Sequence, residues 1–138
     1  MDAKKRITAT LAGFVVLFIM GWLLYGMLLM DFFQSNSGTA TGVVREETDM
    51  VWWALIGGNI LQAYLLVYVF GKWANINTFA GGFQNGLVLG LIWGYAYDLT
   101  TYGTTNITNL TGALVDPLVM GIMMATAGGV IGWMLGKK

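Results

Sequence analysis

The residues with which this chain could do chemistry are few, and its carboxylates are the first of them. Asp98 lies one step of four beyond Gly82, Gly86, Gly90 and Gly94. Residues i and i+4 share a helix face, so the glycines make one smooth stripe with a carboxylate at its end. Placed at a helix C-terminus, Asp98 would face the unfavourable end of the macrodipole and would need either exposure or a partner. The candidate partners are Arg45, the opening turn of the last helix, or a bound cation. Asp31 and Asp116 fall on the same side in this reading, so Asp31, Asp98 and Asp116 can converge there. Three carboxylates with Asn and Thr oxygens would suit a hard cation such as calcium, although their spacing matches no calcium loop. Asp116-Pro117 also has a simpler reading. Aspartate is a good N-cap and proline is favoured at the first helical position, so the pair predicts a helix start.

Composition removes most other chemistry. The chain has no cysteine and no histidine, which excludes disulfides, thiolate ligands, the commonest metal ligand and the commonest general base. An intramembrane aspartyl protease is the one enzyme class to weigh, with Tyr97-Asp98 and Asp116 as its two aspartates. The Gly-x-Gly-Asp motif of that class is missing, since Ala113, Leu114 and Val115 precede Asp116. The expectation is therefore no catalytic residue, no resident metal and no cofactor. Asn59 and Gln62 are three apart on one side of the second apolar run, near its middle, and read as interhelical hydrogen-bonding groups.

The elements that must position these residues are membrane spans. Hydrophobic residues make up 57% of the 138 residues and charged ones only 10%, with a mean hydropathy of +0.67; soluble domains carry about 25% charge. Apolar runs at residues 7–30, 51–70, 79–98 and 113–135 predict four helices in one domain over residues 1–138, an all-α polytopic protein built as a four-transmembrane-helix bundle. A basic start followed by an apolar run can be a signal peptide, but 7–30 is too long for one and reads as a retained helix. Glycine is costly in a helix in water, yet small residues spaced by four let helices approach closely in lipid. The 79–98 segment thus reads as the central helix. Gly128 and Gly132 repeat the spacing in the last run, which makes that helix its natural close partner. Residues 31–50 and 99–112 read as polar loops, the second with two glycosylation-type triplets at Asn106 and Asn109 that commonly arise by chance.

Six of the seven Lys and Arg residues lie at the N-terminus, in the turn after the second run, or at the C-terminus; only Arg45 lies opposite. The positive-inside rule puts both termini in the cytoplasm and both polar loops outside. A formal net charge of zero gives no electrostatic case for nucleic acid.

Three short motifs carry a resemblance: Tyr97-Asp98-Leu99-Thr100, Leu114-Val115-Asp116 and Gly21-Trp22-Leu23-Leu24-Tyr25-Gly26. In them the chain resembles small bacterial four-helix integral membrane proteins classed as domains of unknown function. Pro117 departs from that pattern, in which an aromatic residue and a glycine follow the aspartate. The resemblance implies a multi-pass protein of the bacterial inner membrane, draws attention to the two aspartates, and implies no activity. Two functional expectations follow. The first is a non-catalytic component of the lipid bilayer that self-associates or joins a larger membrane complex. The second is an oligomeric small-solute or ion transporter or channel using the outer carboxylates. A lipid or another apolar ligand between helices is compatible with either.

Overall fold

The structure is a computed structural model, and it describes residues 2–138. It is all-α, with four main helices and one short one. Helix α1 (Ala3–Leu23) is capped by Asp2, whose side chain accepts from the Lys5 amide at 2.7 Å. It runs into one turn of π-helix at Leu24–Leu28, breaks at Leu29 (φ −112°, ψ 9°) and resumes as α2 (Met30–Ser35). Asp31 and its neighbours are therefore helical, where the polarity of residues 31–50 predicts loop throughout. Helix α3 (Trp52–Tyr68) also ends in a π-helical turn, Val69–Ala74, and Asn75 closes it in the left-handed region (φ 51°).

Helix α4 (Phe79–Thr104) starts on Thr78, whose hydroxyl accepts from the Gly81 amide at 3.0 Å. It continues six residues beyond Asp98, into a stretch that reads as loop from its threonines. Those hydroxyls do not leave the helix: Thr100 donates to Ala96, and Thr104 to Thr100, at 2.7 and 2.8 Å. Helix α5 (Leu110–Leu135) is likewise longer than expected. Its cap is Asn109, which accepts from the Gly112 amide at 2.8 Å, and not Asp116. Pro117 stands inside the helix, so the carbonyl of Ala113 has no helical donor there.

Helix α5 is the hub: α4 lies on one side of it, while α1 packs on the other and carries α3. The glycine-striped α4 is thus not the central helix; its stripe faces one neighbour and its opposite side is open. The core lies among α1, α3 and α5, where Leu17, Leu66, Phe70 and Ile131 are fully buried. On α1, Ala9, Gly13 and Leu17 point into this core, while Ile7, Leu11, Val15 and Ile19 point away and are about half exposed. That is a four-residue rhythm with apolar residues on both faces. The helices α1, α3 and α5, with the π-helical turns that extend the first two, are long and apolar enough to span a membrane. Helix α4 is long enough, but its glycines, Gln84, Asn85 and Asp98 make it less apolar.

Candidate functional site: a carboxyl pair on the α4–α5 seam

The seam between α4 and α5 is built on glycine. A Cβ at Gly82 or Gly128 would strike the other's backbone carbonyl, and one at Gly86 would strike the carbonyl of Met124. At Gly90 it would lie 2.9 Å from the Gly121 Cα, and at Gly94 3.0 Å from the Cα and Cβ of Pro117. Gly132 closes on Gly82 and on the Thr78 carbonyl. The two backbones therefore run antiparallel in contact along most of their length, joined by the short loop at residues 105–109.

Asp98 stands one turn beyond Gly94 and Asp116 directly before Pro117, so they form the next rung of this ladder. Each is six residues from the loop-side end of its helix, about 9 Å deep at 1.5 Å per residue. Because the backbones are so close, side chains as short as aspartate can meet, and the two carboxyl groups are within hydrogen-bonding reach of each other. Asp98 is only 8% exposed, and its Oδ2 is buried without a hydrogen-bond partner. Asp116 is half-buried, and the Tyr25 hydroxyl donates to its Oδ1 at 2.5 Å. Tyr25 lies in the π-helical turn after α1 and rests against Phe33 of α2, ring centroids 5.3 Å apart. One turn before Asp98, Tyr95 donates to the Leu114 carbonyl at 3.0 Å, a second tie across the seam.

Above the pair, the first polar loop docks on the α4–α5 loop. Gly38 and Ala40 donate to the carbonyls of Ile107 and Asn106 at 2.9 and 3.0 Å, and the Asn109 side chain donates to Asn36 Oδ1 at 3.2 Å. With the Asn109 amide donating to the Asn36 carbonyl at 3.2 Å, Ser37 and Thr108 form an antiparallel bridge covering the end of the hairpin.

The other expected site residues go elsewhere. Asp31 is exposed on α2, so the three aspartates do not converge. Arg45 is exposed and reaches the Asp49 carbonyl in its own loop, so it is not a partner of Asp98. The loop threonines are not partners either, because α4 carries them past Asp98 and their hydroxyls turn back on the helix. Asn59 donates to Leu55 of its own helix at 2.8 Å and bridges nothing; Gln62 does cross to α5, where it meets the Met120 sulfur at 3.4 Å. Among the described residues, no group of three or more acidic, His or Cys side chains is arranged to hold a metal ion. Tyr25 is the site residue that sequence reasoning missed, since its place near the end of an apolar run reads as an interfacial aromatic. Its signal was its level: it falls toward the same end of the molecule as Asp116.

Comparison with known proteins adds no identity: no family model, curated protein or solved structure matches the chain.

Proposed function

We propose that the chain is a multi-pass membrane protein of four spans, with both termini cytoplasmic, acting as a non-catalytic component that associates with itself or with a larger membrane complex. The observation that supports this most is the outward-facing surface. Val88, Ile92, Trp93 and Tyr97 on α4 are each more than half exposed, as are Leu61 and Leu65 on α3. Such continuous apolar faces on several helices need lipid or protein against them. All six tryptophans are exposed, and five lie near helix ends, as an interfacial belt requires. Helix α4 counts as a span in this reading because its less apolar side is spent on α5 and its remaining side is apolar. Single cysteines at positions 40 and 105 are expected to react with an impermeant reagent added outside intact cells, and one at 138 only after lysis. Labelling of position 138 from outside overturns the topology, and a single chain per particle with no co-purifying protein in lipid nanodiscs overturns the association.

A second reading is favoured by one specific observation, the meeting of Asp98 with Asp116. Ionisable groups inside a helical membrane protein mark ion or proton sites more often than they mark packing. That pairing supports an ion-handling role for an assembly of these chains. Hydrolysis of a peptide by the pair is less well supported. It needs a water between the carboxyls and a groove for the substrate, whereas Pro117 packs on Gly94 beside the pair and Tyr25 already occupies Asp116.

A further inference from the structure

The Asp98 Oδ2 atom is buried and has neither donor nor acceptor, and the carboxyl group that carries it has the Asp116 carboxyl as its neighbour. An ionised carboxylate only accepts hydrogen bonds, so two of them side by side cannot satisfy each other; one proton between them makes one a donor and the other an acceptor. Two negative charges at such a separation also repel strongly away from water. We propose that Asp98 and Asp116 form a binding site for one exchangeable proton, held across the α4–α5 seam, with Tyr25 as its hydrogen-bonded neighbour on the α1 side. Binding is simple addition of H⁺ to the doubly ionised pair, leaving one negative charge spread over the two carboxyls. The Tyr25 hydroxyl, already donating to Asp116, stabilises that remaining charge.

The groups that face the site are accounted for on every element around it. The segment after α1 supplies Tyr25, and α5 supplies Asp116. Tyr95 on α4 is engaged with Leu114. The loop above contributes Asn36, Thr108 and Asn109, which bond one another. No basic side chain enters: Arg45 is held at Asp49, and Lys5 is bound at the far end of α5, to the Leu135 and Lys137 carbonyls. With no cation to neutralise it, the pair needs a proton or a metal. A hard divalent ion takes about six to eight oxygens; this site offers two carboxyls and a phenol that is already donating, and Asp31 stays outside. The proton is the occupant that fits. Exchange is possible because Asp116 is only half-buried, so one side of the pair is not enclosed by protein. The surroundings are also of a kind that can rearrange: a π-helical turn carries Tyr25, and Pro117 leaves the Ala113 carbonyl without a helical donor. The inference deepens the second reading above. Its test observes the site itself, so the loss of the proton site and an absence of transport are separate results.

The experiment is infrared spectroscopy of the full chain in lipid nanodiscs, with the aspartates labelled with carbon-13. The other three aspartates, Asp2, Asp31 and Asp49, are exposed, and the Asn variants separate their signal from that of the pair. The expected result is a protonated aspartic carbonyl band at pH 7 that shifts in D₂O. It should change frequency in Tyr25→Phe and vanish in both Asp98→Asn and Asp116→Asn. A wild-type spectrum with every aspartate ionised overturns the proposal, and this measurement needs no variant to fold. A band insensitive to D₂O overturns exchange, a band surviving in both Asn variants overturns the assignment, and a band abolished by millimolar Ca²⁺ or Na⁺ at constant pH makes the occupant a cation.

Discussion

Replacing Gly86 by alanine adds one methyl group at the point where α4 and α5 touch through backbone alone. That Cβ would strike the Met124 carbonyl oxygen and lie 2.9 Å from its carbonyl carbon and 3.2 Å from the Ala125 Cα. Carbon atoms rest at about 3.5–4.0 Å, so the helices must part by roughly half an ångström or more. None of the obstructing atoms is the end of a flexible side chain that could swing aside. Overpacking of this kind costs about 1–3 kcal/mol, while alanine in place of glycine returns up to about 1 kcal/mol of helix propensity. Gly58→Ala is the matching control: Gly58 is exposed on α3, and a Cβ there meets nothing within 4 Å. Both variants gain the propensity term, so the difference between them isolates the steric one, about 1–3 kcal/mol in favour of Gly58→Ala. Thermal and denaturant unfolding followed by circular dichroism in a single detergent would measure it. If Gly86→Ala were as stable as Gly58→Ala, the seam would not be held by backbone contact, and the reason given for two short carboxyl side chains meeting would fall with it.

Asn109→Ala removes the α5 cap and the link to Asn36 together; a loss of about 1 kcal/mol or more is expected from the cap alone, read as a lower melting temperature. Gln62→Leu gives up only a weak amide–sulfur contact with Met120 and should cost less than about 1 kcal/mol by the same measurement.

How much of this was legible in the sequence depends on the range over which each feature is determined. Glycine at every fourth position from Gly82 to Gly94 carries its meaning locally, because helix periodicity alone puts these residues on one face. Helix ends are less local. The Thr-rich stretch after Asp98 scores as loop by composition, yet in a helix its hydroxyls bond the preceding carbonyls and the helix runs to Thr104. That extension takes Asp98 away from the dipole end and from the loop oxygens expected to serve it. Asp116-Pro117 carries a strong helix-start signal, but Asn109 provides a cap seven residues earlier, and the helix keeps going through the proline. Both aspartates were visible as candidates, while their pairing depends on the register of the hairpin. Tyr25 was further still from view, since its contact with Asp116 spans 91 residues and needs α1 seated on α5. The identity of the hub helix followed the same logic: small residues occur in both α4 and α5, and only the tertiary contacts show that α5 is surrounded while α4 is not.

The hub is also the last of the main helices in chain order, and that has a consequence for how the molecule is made. Synthesis runs from the N-terminus, so α1 and α3 emerge before α4 and α5 and can pair with each other ahead of both. Helix α4 emerges next with its backbone stripe bare and its carboxyl unmatched, and its main seat does not yet exist. Only when α5 has been translated can the hairpin zip, the carboxyls meet and Tyr25 find its acceptor. Completion thus waits for α5. A nascent chain arrested before Leu110 would hold a paired α1 and α3 beside an orphan helix, the kind of half-built intermediate on which insertion factors and quality-control proteases act.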